Sequence, residues 1–145
     1  VALDISERHW QLERGGQWDK GKSFDSFAPI GPWLVTTDEL PEPRDLAMKL
    51  EVSGAPFQQG TTANMIFNAW TLVSYVSGVM TLQPGDLIFT GTPAGVGMGQ
   101  QPPRYLRPGD SIGANIAGLG SQRHTVIGGD HAPALRSATV LKQGW

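Results

Sequence analysis

The sequence predicts a mainly antiparallel β fold with one principal helix, an α+β arrangement, on three observations. Apolar residues alternate at Leu46, Met48, Leu50 and Val52 against Ala47, Lys49 and Glu51, the period of a strand buried on one face. From Thr62 the apolar spacing lengthens to three or four residues, through Ile66, Trp70, Val73, Val76 and Met80, which is the period of a helix. Two Pro-Gly-Asp triplets, Pro84-Gly85-Asp86 and Pro108-Gly109-Asp110, each lead into an apolar run. Proline presets the first turn position and glycine supplies the positive φ of the next, so each triplet feeds a strand.

Taken in order, Val1-Ala2-Leu3-Asp4-Ile5 has the character of a strand interior. Leu46 to Val52 forms the first clear strand, Ser53-Gly54 turns the chain, and Ala55 to Gln59 returns antiparallel, with Pro56 at a place that needs no ladder donor. The helix is expected over Ala63 to Met80, with Thr61, Thr62 and Asn64 as caps. Its β-branched and aromatic residues give weak helix propensity, so packing against the sheet must hold it. Leu87-Ile88-Phe89 and Ile112 to Ile116 follow the two Pro-Gly-Asp turns as strands. Ala117-Gly118-Leu119-Gly120 is a further turn, and Arg123 to Ile127 is the returning strand. After Gly128 no period remains, so a domain over 1–127 is followed by an irregular tail over 128–145.

The length of 145 residues, 39% of them hydrophobic, suits one core. Eleven basic and thirteen acidic residues give a net charge of −2, and no clustered basic face offers a nucleic-acid footprint. The chain has no cysteine, which excludes a disulfide framework and fits a reducing, cytoplasmic setting. The longest apolar stretch, Ile66 to Met80, is too short and too interrupted for a membrane span. Val1 follows neither an initiator methionine nor a signal-peptide pattern, so the sequence is expected to be part of a longer enzyme or a processed product.

Several side chains carry possible chemistry. Asp4 sits in an apolar segment where a carboxylate needs a cation or donors, although on its own it reads more readily as the N-cap of a following helix. Arg8 and Gln11 share one helical face at a spacing of three, combining a forked donor with an amide, a useful pair for a carboxyl and keto ligand. Lys22 follows the glycine-rich Arg14 to Gly21 stretch and can bring an ammonium to an anion. The spacing Gly16-Gln-Trp-Asp-Lys-Gly21-Lys22-Ser23 matches a nucleotide phosphate loop, but the polar residues before it and Pro29, Gly31 and Pro32 after it deny the strand–loop–helix context. Thr90-Gly91-Thr92-Pro93-Ala94-Gly95-Val96-Gly97 turns through several glycines, letting backbone N–H groups and the Thr92 hydroxyl approach a ligand. His9, His124 and His131 lack metal-ligand spacing and are expected at the surface. No Gly-x-Ser-x-Gly elbow supports a serine triad.

Asp4-Ile-Ser-Glu-Arg8-His-Trp-Gln11, Gly21-Lys22-Ser-Phe-Asp-Ser-Phe-Ala-Pro-Ile-Gly-Pro-Trp33, Met65-Ile-Phe67, Pro84-Gly-Asp-Leu-Ile-Phe-Thr-Gly-Thr-Pro-Ala-Gly-Val-Gly97 and Pro108-Gly-Asp110 together resemble the fumarylacetoacetate hydrolase family. Glu13 to Gly21 and Val96 to Leu106 are similar to its bacterial branch acting on 2,4-diketo-3-deoxy sugar acids. The resemblance implies a twisted, mixed or antiparallel β-roll, a homodimer, bound Mg²⁺ or Mn²⁺, and a small oxo-acid substrate of the acylpyruvate type whose carbon–carbon bond is hydrolysed; isomerase and decarboxylase members are alternatives. It also implies Asp4 and Ser26 at the metal, and Arg8, Gln11, Lys22 and Thr92 at the substrate. The family's catalytic His and its Glu-x-Glu pair stand before the aspartate, so both are expected upstream of residue 1. A non-catalytic β scaffold, whose glycines serve only turns, is the competing reading.

Overall fold

A computed structural model describes residues 1–40 and 43–128. Residues 129–145, with His131 and the expected tail, lie outside the described residues. Strands β1 (Ala47–Val52), β2 (Ala55–Thr61), β3 (Ser111–Ile116) and β4 (Gly120–Thr125) form one sheet in the order β2-β1-β3-β4, every neighbouring pair antiparallel. The expected mainly antiparallel class is therefore what the chain adopts.

The alternation in β1 does what its period requires, since Met48, Leu50 and Val52 turn inward while Lys49 and Glu51 stay exposed. Ser53 (φ 50) and Gly54 (φ 79) close the hairpin in the left-handed region. β2 lies at the sheet edge, and the register shifts at Pro56, so the residue that cannot donate sits at an irregularity of an edge strand. β2 continues to Thr61, beyond the expected Gln59. Val52 pairs with Ile112 and Leu50 with Ala114, which aligns the apolar face of β1 with that of β3.

Leu3, Ile112 and Ala114 are buried together, with Val1, Ile5, Leu50 and Val126 packed around them. The first five residues thus cover the apolar sheet face without joining the sheet. The expected strand there reduces to a single bridge, Ala2 with Ile30, because Pro29 and Pro32 around that bridge interrupt a ladder. Gln122 Nε2 donates to the carbonyls of Val1 (2.7 Å) and Gly31 (2.8 Å) and fastens both segments to β4.

Three further expectations are corrected. The helix does not run from Ala63 to Met80: Thr62–Asn64 forms a 3-10 turn, and α2 in this region spans only Ala69–Ser77. Asn68 explains the break, because its side-chain oxygen accepts from Thr71 N–H at 2.9 Å and starts the helix there. This helix has no fully buried residue, with Trp70 at 55% and Tyr75 at 74% exposure, so among the described residues the expected burial of a helix face against the sheet is not formed. Leu87-Ile88-Phe89 forms no strand, having no ladder partner among the described residues. Gly118 and Gly120, at φ 77 and 90, tighten the last turn, so the return strand begins at Gly120 and not at Arg123.

Candidate functional site

Leu3 points into the core, so the next side chain along the extended segment, Asp4, faces the other way, and the residue is exposed. Four residues later the chain enters a short helix, α1 (Arg8–Leu12). Its N-cap is Glu7 and not Asp4, the Glu7 carboxylate accepting from Trp10 N–H at 2.6 Å. This leaves the Asp4 carboxylate free of capping duty.

Lys22 reaches Asp4 because a 3-10 turn over Trp18–Gly21 docks directly on α1. Glu7 N–H donates to the Gly21 carbonyl at 2.8 Å. A Cβ on Gly21 would lie 2.5 Å from the Gln11 Cβ, 2.6 Å from the Glu7 carbonyl oxygen and 2.7 Å from the Gln11 nitrogen. Only glycine lets the two segments meet this closely. Lys22, the next residue, then forms an ion pair from Nζ to Asp4 Oδ2, across 18 positions of sequence. The Asp4 side chain is 49% exposed and that of Lys22 29%, so water screens the pair and its contribution to stability is only about 0–1 kcal/mol. Its significance is geometric: it holds one anionic and one cationic group side by side at the surface.

Arg8 and Gln11 meet as their spacing predicts, Arg8 donating to Gln11 Oε1 at 2.7 Å. Gln11 is fully buried, and its Nε2 finds no partner among the described residues. An unpaired buried amide donor costs about 1–3 kcal/mol. Trp10 packs edge-to-face on Phe24 at 5.7 Å, and Phe24 on Phe27 at 5.4 Å. This aromatic run seats the loop bearing Ser26, which adopts φ 66 and is exposed.

Thr92 belongs to a different support. Gln58 on β2 donates from Nε2 to both Thr92 Oγ1 and the Pro93 carbonyl, each at 2.7 Å. No hydrogen bond or ion pair among the described residues links Thr92 or Ser26 to Asp4 or Lys22. The structure therefore joins Asp4 with Lys22 and Arg8 with Gln11, and holds the two pairs in one unit through Gly21. His9 lies at the surface against Glu13 and Arg14.

A hard divalent ion wants six or more oxygens. The described residues contain no group of three or more His, Cys, Asp or Glu side chains able to hold a metal, and Asp4 is a single carboxylate already facing an ammonium. By themselves they do not fit a metal centre. Two cations, Arg8 and Lys22, stand on adjoining segments, Arg8 donating to Gln11 and Lys22 paired with Asp4. A groove of about 450 Å³ crosses the sheet near Lys49, Gln59, Asn115 and Arg123. Gln58 lines it but none of the sequence-predicted candidates does, and its exposed Glu51–Arg123 pair is typical of a solvated sheet face.

Sequence reasoning did not single out Glu7, Gly21 as a contact point, or Gln58. Gln58 carried a weak signal, a polar residue at a half-buried position of a strand.

The family model described as fumarylacetoacetate (FAA) hydrolase C-terminal matches residues 1–127. A Burkholderia multivorans protein, provisionally named a hydrolase, is 58% identical over 123 residues, 84% of this chain and 44% of the relative. The chain thus spans less than half the length of the curated relatives it matches. Among solved structures, fumarylacetoacetate hydrolase from Exiguobacterium antarcticum superposes with TM-score 0.83 and 42% identity, over 87% of this chain and 45% of that one. A 2-hydroxyhepta-2,4-diene-1,7-dioate isomerase from Mycobacterium marinum gives 0.75 and 42%, over 87% and 46%. Maleylpyruvate hydrolase from Sphingobium, in complex with manganese(II) and pyruvate, gives 0.68 and 37%, over 78% and 40%.

Proposed function

Because the chain belongs to the fumarylacetoacetate hydrolase C-terminal family, we propose that it forms the oxo-acid-binding part of an enzyme hydrolysing a carbon–carbon bond in an acylpyruvate-type substrate. The single observation that carries this reading is the Lys22–Asp4 pair held against the Arg8–Gln11 pair through the Gly21 contact. It places two cations on one small scaffold, the requirement for gripping a ligand with a carboxylate beside a keto oxygen. The pyruvate bound to the Sphingobium relative supports the choice of ligand class.

In this role Lys22 and Arg8 bind the carboxylate and 2-oxo end, and Thr92 is a further contact to the substrate. Water adds to the distal carbonyl, the carbon–carbon bond breaks with its electron pair going to the pyruvate side, and a proton completes pyruvate. The products are pyruvate and the acid of the acyl group. Positive groups already in place stabilise the developing enolate without reorganising during the reaction. Mg²⁺ or Mn²⁺ is the proposed cofactor of the whole enzyme, with Asp4 as one ligand, Ser26 beside it, and the other ligands outside the described residues. As a Lewis acid such an ion would polarise the keto oxygens.

The test is direct: the full-length protein is incubated with an acylpyruvate and either ion, and pyruvate release is followed by coupled reduction to lactate. Pyruvate formed in proportion to substrate lost supports hydrolysis. Substrate converted without pyruvate, with shifted double-bond resonances in the proton NMR spectrum, replaces hydrolase by isomerase; release of carbon dioxide replaces it by decarboxylase.

A further inference from the structure

Gln58 has no role in the account so far, yet its amide grips the Thr92 turn at Thr92 and Pro93, while Gln100 Nε2 donates farther along, to the Gly95 carbonyl at 3.3 Å. We propose that Gln58 is a positioning residue that makes the Thr92 hydroxyl a hydrogen-bond donor toward an anionic oxygen of the bound ligand. The inference rests on the oxo-acid reading above and adds a polarity to one of its contacts.

The argument starts from the Pro93 carbonyl, which can only accept. Since it lies 2.7 Å from the Gln58 amide, the atom facing it must be the nitrogen, and the amide orientation is fixed. The second hydrogen of that nitrogen then points at Thr92 Oγ1, also 2.7 Å away. Thr92 accepts there, so its own O–H must point elsewhere. Among the described residues that proton meets no acceptor, and Thr92 is exposed. A hydroxyl arranged in this way has one lone pair occupied and its proton available for a carboxylate, enolate or keto oxygen.

The turn itself is seated firmly enough for the orientation to matter. A Cβ on Gly60 would lie 2.9 Å from the Pro93 Cβ, and one on Gly95 would lie 1.9 Å from the Phe57 carbonyl oxygen. Glycine at both places lets the turn lie directly on β2. Gly91 and Gly95, both at φ 107, bend the chain on either side of Thr92.

The experiment titrates oxalate, a non-reacting mimic of the oxo-acid end, into the full-length protein with Mg²⁺ by calorimetry. Gln58→Met, of similar length but without donors, should weaken oxalate about tenfold, the scale of one hydrogen bond to a charged group. Thr92→Val should do the same, and the double variant should be no weaker than either single one within about twofold. Thr92→Ser should bind as wild type does. Gln58→Glu, which accepts and so reverses the hydroxyl, should bind more weakly than Gln58→Met. It also tests the idea if the methionine variant does not fold. Losses that multiply in the double variant would reduce Gln58 to general support of the turn and overturn the proposal, as would wild-type affinity in Gln58→Met. A wild-type protein blind to oxalate would overturn the oxo-acid reading first, and this inference with it; normal wild-type binding with additive variants would sink this inference alone.

Discussion

Gly21→Ala tests whether the contact between α1 and the 3-10 turn sets the position of Lys22. The new methyl would stand 2.5–2.7 Å from three atoms, two of them backbone. None is the far end of a flexible side chain. Ordinary contact needs roughly 3.5–4.0 Å, so the segments must separate by about 1 Å. Overpacking of this kind costs about 1–3 kcal/mol, and the rigid partners place this case near 3. For a domain of this size that corresponds to a Tm lower by roughly 6–12 °C. The displacement also moves the neighbouring Lys22 away from Asp4, so oxalate affinity should fall together with Tm. Gly16→Ala is the control, since nothing lies within 4 Å of a Cβ there although φ is 70. It should show only the left-handed backbone penalty of about 1–2 kcal/mol, with oxalate binding intact. Differential scanning calorimetry and oxalate titration of both variants make the measurement. Gly21→Ala with Tm within about 1 °C of wild type and unchanged affinity would refute the reasoning.

Glu7→Ala removes the cap of α1 and should cost about 1 kcal/mol, read as a shift in the urea midpoint; no shift would mean that the Trp10 N–H contact is idle. The Asp110 carboxyl is held below its ordinary value of 3.8, first by the Ser53 hydroxyl and then by the Arg107 N–H. A lowered folded-state pKa adds stability above the unfolded value and loses it as pH falls through the folded one. Ser53→Ala keeps the Cβ at the strained φ and removes the leading cause. Its Tm deficit against wild type should therefore be present at pH 5–7 and shrink below about pH 4; a deficit that is constant with pH would count against the linkage.

Much of the sheet was legible because one physical rule governed it. Leu46 to Val52 alternates with a period of two and has one buried face, so its register could be read without knowing its neighbours. The helix was less legible. The apolar period runs on through Met65 to Phe67, but the Asn68 side chain takes Thr71 N–H and starts the helix there, a local competition that periodicity does not register. Leu87 to Phe89 has the composition of a strand, yet a strand also needs a partner edge, which the described residues do not supply. The site was legible only in part. Arg8 and Gln11 share a helical turn, so spacing alone placed them together. Asp4 and Lys22 are 18 residues apart, and Gln58 and Thr92 are 34 apart; such pairs arise from tertiary packing. Asp4, Lys22 and Thr92 entered the proposed site as what the family resemblance implies. Nothing in the sequence pointed to the Gly21 contact, and a polar residue in a strand was only a faint pointer to Gln58.

The central claim is that Lys22, held by Asp4 and the Gly21 contact, grips the carboxylate end of an oxo-acid. The most direct measurement is calorimetric titration of oxalate into full-length wild-type protein and Lys22→Met. Removing one cation from a charge-assisted contact should weaken binding by about tenfold or more while Tm changes little, the ion pair being exposed. Equal affinity in the two proteins, with the variant folded, would contradict the account.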